Sequence, residues 1–219
     1  MTAVLAVLHA ERIDILADGA VYDDQGRVLR ITSKIFSDDR GRIVISGRGK
    51  NFDMIAGFAG GIIMNVQQMG FDAAMVELQK LADAHPGKQQ TPTDLVMAGF
   101  SLDGQPQLKL FCLTEHSGLP PMKVIDVPGL FWGGPEIGQL HIDEIGNLSA
   151  FGAGIFERAR NTPGRDMSDP ESSPIFGVGG FVEHVELTSR GAVRKTLRRW
   201  PDKIGETIKP RRPRQISNI

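Results

Sequence analysis

The sequence is poor in the features that hold very small or unusual folds together. Cys112 is its only cysteine, so no intrachain disulfide can form. None is needed: a chain of this length buries roughly 70% of the surface its unfolded form exposes. The lone thiol sits in the apolar run Leu108-Lys-Leu-Phe-Cys-Leu113 and reads as a small buried hydrophobe, in keeping with a reducing cytoplasm. Charge of one sign is also missing. The formal net charge of −1 gives no global attraction to nucleic acid or to lipid headgroups. Long hydrophobic runs are absent: the longest uncharged stretch, Met54 to Phe71, contains Asn65, Gln67, Gln68 and four glycines, a poor membrane span. No basic segment precedes the apolar Thr2 to Leu8, so no secretory leader is expected. His9, His85, His116, His141 and His184 share no metal-ligand spacing and are expected to be structural or on the surface.

What is present is a change of period along the chain. Thr2–His9 and Ile13–Ala17 are short, rich in branched residues and separated by a polar turn, which predicts a hairpin. Val28–Thr32 and Arg42–Ser46 continue the strand pattern, and the continuous run Ile43-Val-Ile45 predicts a strand covered on both faces. From Phe52 to His85 the apolar residues recur at three and four, which predicts two helices interrupted near Gly70, with Asp72 as N-cap. Gly57, Gly60 and Gly61 fit the first helix if it lies tightly on a sheet. Strands return at Asp94–Phe100, Gln107–Leu113 and Lys123–Val127. A weaker helical region covers Pro135 to Arg160, a polar loop covers Asn161 to Pro174, and a last hairpin covers Phe181–Leu187 and Ala192–Leu197. This order predicts helices outside two packed sheets, in one domain over residues 1–200. Residues 201–219 read as a basic, proline-punctuated tail, disordered alone and able to contact a neighbouring subunit through Lys209-Pro-Arg-Arg-Pro-Arg214.

Thr2 follows the initiator methionine. Once Met1 is removed, an N-terminal threonine carries nucleophile and base together, because its hydroxyl attacks while its own amine takes the proton. The α-amine titrates near pH 7.7–8.0 in model compounds, so no histidine is required. Asp18 ends the second predicted strand, sixteen residues after Thr2, and Lys34 lies sixteen residues beyond Asp18. A lysine beside the threonine would favour the neutral amine, and a buried carboxylate would hold that lysine and balance its charge.

On Thr2, Asp18 and Lys34 the chain resembles the proteasome β-subunit family of N-terminal-nucleophile (Ntn) hydrolases and its bacterial relatives. The resemblance extends to Ile43-Val-Ile-Ser-Gly47, to Phe131-Trp-Gly-Gly-Pro135 and to Gly179–Leu187 with Ser189-Arg-Gly191. It implies an α+β fold, a four-layer αββα sandwich. It also implies a cofactor-independent threonine-type peptidase or amidohydrolase acting on peptide or amide bonds. Gly47 would be an oxyanion donor, and Val21, Thr32, Ile45 and Gly49 would line an apolar to small substrate pocket. The outer helices would pack a homo-oligomer. Three positions depart from the family pattern. Trp132 stands where the family turn carries a serine, and Ile175 and Val178 stand where it carries an aspartate and a serine. These departures support a second expectation, a catalytically silent structural subunit of a ring or larger, phage-like assembly. Nucleic-acid contact through the tail is the weakest of the three.

Overall fold

A computed structural model describes residues 3–85, 92–115, 118–166, 169 and 171–210. In the first part of the chain the strands are β1 (Val4–Leu8), β2 (Arg12–Asp18), β3 (Ala20–Tyr22), β4 (Val28–Ile31), β5 (Ile35–Ser37) and β6 (Ile43–Gly49). Helices α1 (Phe52–Met69) and α2 (Phe71–Ala84) follow, then β7 (Thr93–Phe100), β8 (Pro106–Cys112), β9 (Val124–Asp126) and β10 (Leu130–Gly133). Helices α3 (Ile142–Gly146) and α4 (Leu148–Arg160) lead to the final hairpin of β11 (Phe181–Thr188) and β12 (Gly191–Arg199).

The strands form one sheet in the order β10-β1-β2-β11-β12, a second in the order β5-β6-β7-β8-β9, and a separate β3-β4 pair. All pairings are antiparallel. Alternation along each strand sends side chains to two faces. Val4, Ala6, Ile13, Ile15 and Ala17 meet Val44, Val96, Ala98, Leu108 and Leu110 between the two large sheets. Ile43, Ile45, Leu95 and Met97 instead face Ile55, Ala59, Ile62 and Val66 of α1. Leu5, Val7 and Leu16 face Leu148, Ile155 and Phe156 of α4. With both faces covered, β6 and β7 can be apolar without alternation, as the run at Ile43 predicts.

The expected four-layer αββα sandwich is corrected. The described chain is mostly β, 38% strand against 25% helix, with three antiparallel sheets and four helices. Two local causes account for the shift. β3, β5 and β10 are three or four residues long, too short to print a period of two, and add strand where the sequence predicts connections. The helical region expected from Pro135 yields helix only from Ile142 onward.

Helix α1 starts where Asn51 accepts from Met54 N at 3.0 Å, an ordinary side-chain cap. The glycines of α1 do not serve tight packing, because a Cβ added at Gly57, Gly60 or Gly61 would meet nothing within 4 Å. They lie on the open side. The junction between α1 and α2 falls at Gly70, whose φ of 84° suits glycine, and not at Asp72. Asp72 instead accepts from Leu102 N at 3.0 Å and Gln107 Nε2 at 2.9 Å, pinning α2 to the β7–β8 turn. Among the described residues no helix is long and apolar enough to cross a membrane.

Cys112 is fully buried in the core between the sheets. Burial, with the Asp94 carboxylate nearby, pushes its thiol far above the ordinary value. The native protein should therefore give no reaction with a disulfide reagent at pH 8, and one thiol per chain after denaturation. A fast native reaction would show that this part of the core opens.

The chain beyond Trp200 is not a free tail as far as Pro210. Ile208 is buried against Ala20 and Val28, Val28 N donates to Glu206 O at 2.9 Å, and Gly205 N donates to Val28 O at 2.8 Å. Asp202 receives both arms of the buried Arg160 guanidinium, at 2.8 and 2.6 Å. The disorder expected from composition is thus corrected for residues 201–210, and Arg211 to Arg214 lie outside the described residues.

Candidate functional site

Of the three residues whose spacing suggests chemistry, two meet. Pairing of Val4 with Ala17 brings the start of β1 beside the end of β2, where Asp18 turns inward. Lys34 enters from the segment before β5, its position fixed by Ser46 Oγ donating to Lys34 O at 3.0 Å. Lys34 Nζ then lies 3.0 and 3.2 Å from the two oxygens of Asp18. The side chains are 3% and 0% exposed. Thr2 lies outside the described residues, but its neighbour Ala3 donates its N–H to Asp18 Oδ1 at 3.0 Å.

Asp18 is held by backbone as well as by lysine. Ala20 N and Gly179 N donate to Oδ2 at 3.1 and 3.2 Å. A buried carboxylate is tolerable when it is paired and its lone pairs are filled, and here both hold. Burial pushes the Lys34 ammonium below its ordinary pKa, and the charge and hydrogen bonds of Asp18 offset that only in part. A lysine poised in this way can exchange a proton or stabilise a developing anion.

Lys34, but not Asp18, lines a cleft of about 220 Å³ whose walls also include Val21, Gly47 and Gly49. The pairing of β5 with β6 ends at Ile35↔Ser46, so Gly47 and Gly49 project past the short β5. A Cβ at Gly47 would meet Ile55 at 2.8 Å, and one at Gly49 would meet Thr93 Oγ1 at the same 2.8 Å. Glycine is required there by close approach. The other expected wall residues fall elsewhere. Ile45 is fully buried beneath α1, one step deeper along the face shared by Gly47 and Gly49. Thr32 is not on the cleft wall, and its N–H donates to Gly19 O at 2.9 Å. The apolar to small pocket is also corrected, because Asp23, Asp24, Lys50, Asp166 and Asp169 line the same cleft.

The three departures from the family pattern fall at different depths. Trp132 lies in β10 opposite Leu5, and its indole N–H donates to Pro135 O at 2.9 Å. Val178 is buried in the core under α4. Ile175 lines the cleft.

Sequence reasoning missed the outer support of Asp18. Gly179 N, on Asp18, adjoins Gly180, whose N–H donates to Asp202 Oδ2 at 2.7 Å, while Arg160 Nη1 donates to Val178 O at 2.9 Å. The Gly179-Gly180 pair was the only signal, and the φ of 73° at Gly180 explains it. A second buried polar group lies toward the other end of β2. Asp14 Oδ1 is 2.7 Å from His184 Nε2, and its Oδ2 is 2.9 Å from His9 Nε2 and 3.1 Å from Arg12 Nε. Burial would raise the Asp14 carboxyl, but His184 and Arg12 together hold it below its ordinary value. His184 is buried, and its Nδ1 lies 3.4 Å from Ser149 Oγ.

A larger apolar groove of about 820 Å³ between α1 and α2 contains none of the expected site residues. Compared with known proteins, the chain matches no family model and no curated protein sequence.

Proposed function

We propose that the chain is a threonine-type amide hydrolase whose centre is built on the buried Asp18–Lys34 pair. The observation that carries the reading is the shared carboxylate. Asp18 binds Lys34 Nζ at 3.0 Å and the N–H of Ala3, the residue joined to Thr2, at 3.0 Å. With Met1 removed, the Thr2 hydroxyl attacks the substrate carbonyl carbon and passes its proton to its own α-amine. The C–N bond breaks as the leaving amine takes that proton, and water then hydrolyses the ester left on Thr2. Lys34 supplies positive charge to the centre, and Gly47, on the cleft wall, is proposed to donate its N–H to the oxyanion. Removing a single oxyanion donor or nucleophile typically costs a factor of about 10²–10³ or more in rate.

The test is Thr2→Ala in protein whose intact mass shows loss of Met1. Wild type should cleave small fluorogenic peptides, and the variant should lose that activity while keeping its melting temperature. Equal turnover by the variant would exclude Thr2 as nucleophile.

A silent subunit of a homo-oligomer is the second reading. Met64, Met69, Val76 and Leu81 are exposed on α1 and α2, and Trp132 and Val178, which stand where the family pattern has serines, bring no hydroxyl to the centre. Retention of Met1 in the natural protein, with a particle several times 24 kDa in light scattering, would favour it.

A further inference from the structure

We propose that the outer edge of β12 takes up an extended, acidic segment of another protein as an added strand. Neither Thr2 nor the Asp18–Lys34 pair takes part, so this holds whichever functional reading stands. The two large sheets end on β10 and β12, and on β5 and β9. Three of these outermost strands are short, with four residues in β10 and three each in β5 and β9. Short edges are one way a protein avoids unwanted pairing. β12 differs, with nine residues, of which Val193 to Thr196, Arg198 and Arg199 are exposed. Backbone at Gly41 packs close to Ala192, so the open length starts at Val193. The register shift in the ladder with β11 falls beyond Thr196, and Val193–Thr196 pairs regularly with Glu183–Glu186. Among the described residues, the backbone of Val193–Arg199 makes hydrogen bonds only to β11. In an antiparallel pair every second residue turns its N–H and C=O away from the partner strand, so this edge offers an unfilled ladder.

Charge decides what can fill that ladder. Arg190 to Arg199 holds five basic residues and no acidic one. Arg194 is met by Glu183 at 2.8 Å, and Arg198 lies 3.9 Å from Glu157. Glu186, opposite Val193, is 3.9 Å from Arg12. Arg190, Lys195 and Arg199 have no ion-pair partner among the described residues, and Arg199 lies over the Phe181 ring at 5.2 Å. A second copy of this chain is therefore a poor occupant, because two β12 edges paired about a two-fold axis would set these cations against one another. An acidic strand meets the same cations with opposite charge while its backbone fills the ladder. Main-chain bonds then supply affinity and side chains supply specificity, with wrong partners refused by like charge.

The test titrates full-length protein with N-acetyl-Glu-Val-Glu-Thr-Glu-Val-Glu amide. One control has Lys for each Glu. A second is N-methylated throughout, which keeps every side chain and charge but leaves no N–H to donate. A third is an oligothymidylate strand. The acidic peptide should bind about tenfold or more tighter than either peptide control. It should also slow hydrogen exchange at alternate amides of Val193–Thr196, and salt should weaken it. Arg190→Glu/Lys195→Glu should remove the preference and leave the melting temperature nearly unchanged, since neither side chain has a partner to lose. Equal binding of the N-methylated control, unchanged exchange along β12, or no binding at about 1 mM peptide would overturn the proposal. Tighter binding of the oligothymidylate than of the acidic peptide would overturn it in favour of nucleic acid.

Discussion

Deleting residues 201–219 should leave a chain that is unfolded or nearly so at 37 °C, while deleting 211–219 should leave the melting transition nearly unchanged. The first deletion removes an ion-pair partner and a piece of the core together. Arg160, 3% exposed, would keep its buried place at the end of α4 without Asp202. Removing one partner of a buried pair costs about 3–5 kcal/mol, because the other charge remains buried and uncompensated. Loss of Ile208, 4% exposed, would leave Ala20 and Val28 uncovered, at a cost of roughly 1.5–3 kcal/mol. Together these approach the whole stability of an ordinary domain, about 5–15 kcal/mol. Truncation after Pro210 retains both Asp202 and Ile208. Asp202→Asn isolates the ion pair, and it should lower the denaturant midpoint without changing the slope. A 1–200 fragment melting cooperatively at the full-length temperature would show that the segment from Pro201 to Pro210 is not part of the fold.

That prediction runs against what composition says of the same segment, and the reason is physical. Proline and basic residues govern a local reading, and they do predict a chain unable to form regular structure alone. The packing of 201–210 depends on Asp202 and Ile208, two residues whose partners, Arg160 and Val28, are far away in sequence. No window of the sequence contains both sides. The β1–β2 hairpin, by contrast, was legible because its signal is local, a run of branched residues either side of a polar turn. The two helices are legible from the spacing of Ile55, Ile62 and Val66 in α1 and of Ala74, Met75 and Leu78 in α2, although the glycines of α1 do not pack tightly on a sheet. The excess of strand escaped because β3, β5 and β10 contribute three or four residues each.

The site divides in the same way. Asp18 and Lys34 meet because each stands at a strand end, and strand ends can be counted from the sequence. Ile45 and Thr32 were misplaced because membership of a wall depends on depth. Ile45 shares a face with Gly47 and Gly49 but lies where α1 already covers it. Gly179 N reaches Asp18 across 161 residues, beyond any local pattern.

Asp18 and Lys34 should respond unequally to removal, with Asp18→Ala much the more destabilising. Without Asp18, the Lys34 ammonium is left buried without its carboxylate, and the N–H groups of Ala3, Ala20 and Gly179 lose their acceptor. Each unsatisfied buried donor costs about 1–3 kcal/mol, and the stranded charge adds about 3–5 kcal/mol. That total exceeds what most domains can lose. Lys34→Met keeps the volume and leaves Asp18 with its three backbone donors, so a cost nearer 1–3 kcal/mol is expected. Lys34→Met in the Asp18→Ala background should then recover stability, since the second change removes the stranded charge, and this coupling identifies the pair. Alkaline pH gives an independent check. Lys34 has its pKa lowered from 10.5 by burial, so between its folded value and 10.5 the unfolded chain holds the extra proton. In that window the contribution of Lys34 to stability rises with pH, and it is lost again as pH falls through the folded value. The gap in stability between wild type and Lys34→Met should therefore change across that window and level off on either side. A gap constant from pH 7 to 11, with equal losses from Asp18→Ala and Lys34→Met, would mean that the two residues are not coupled as a buried pair.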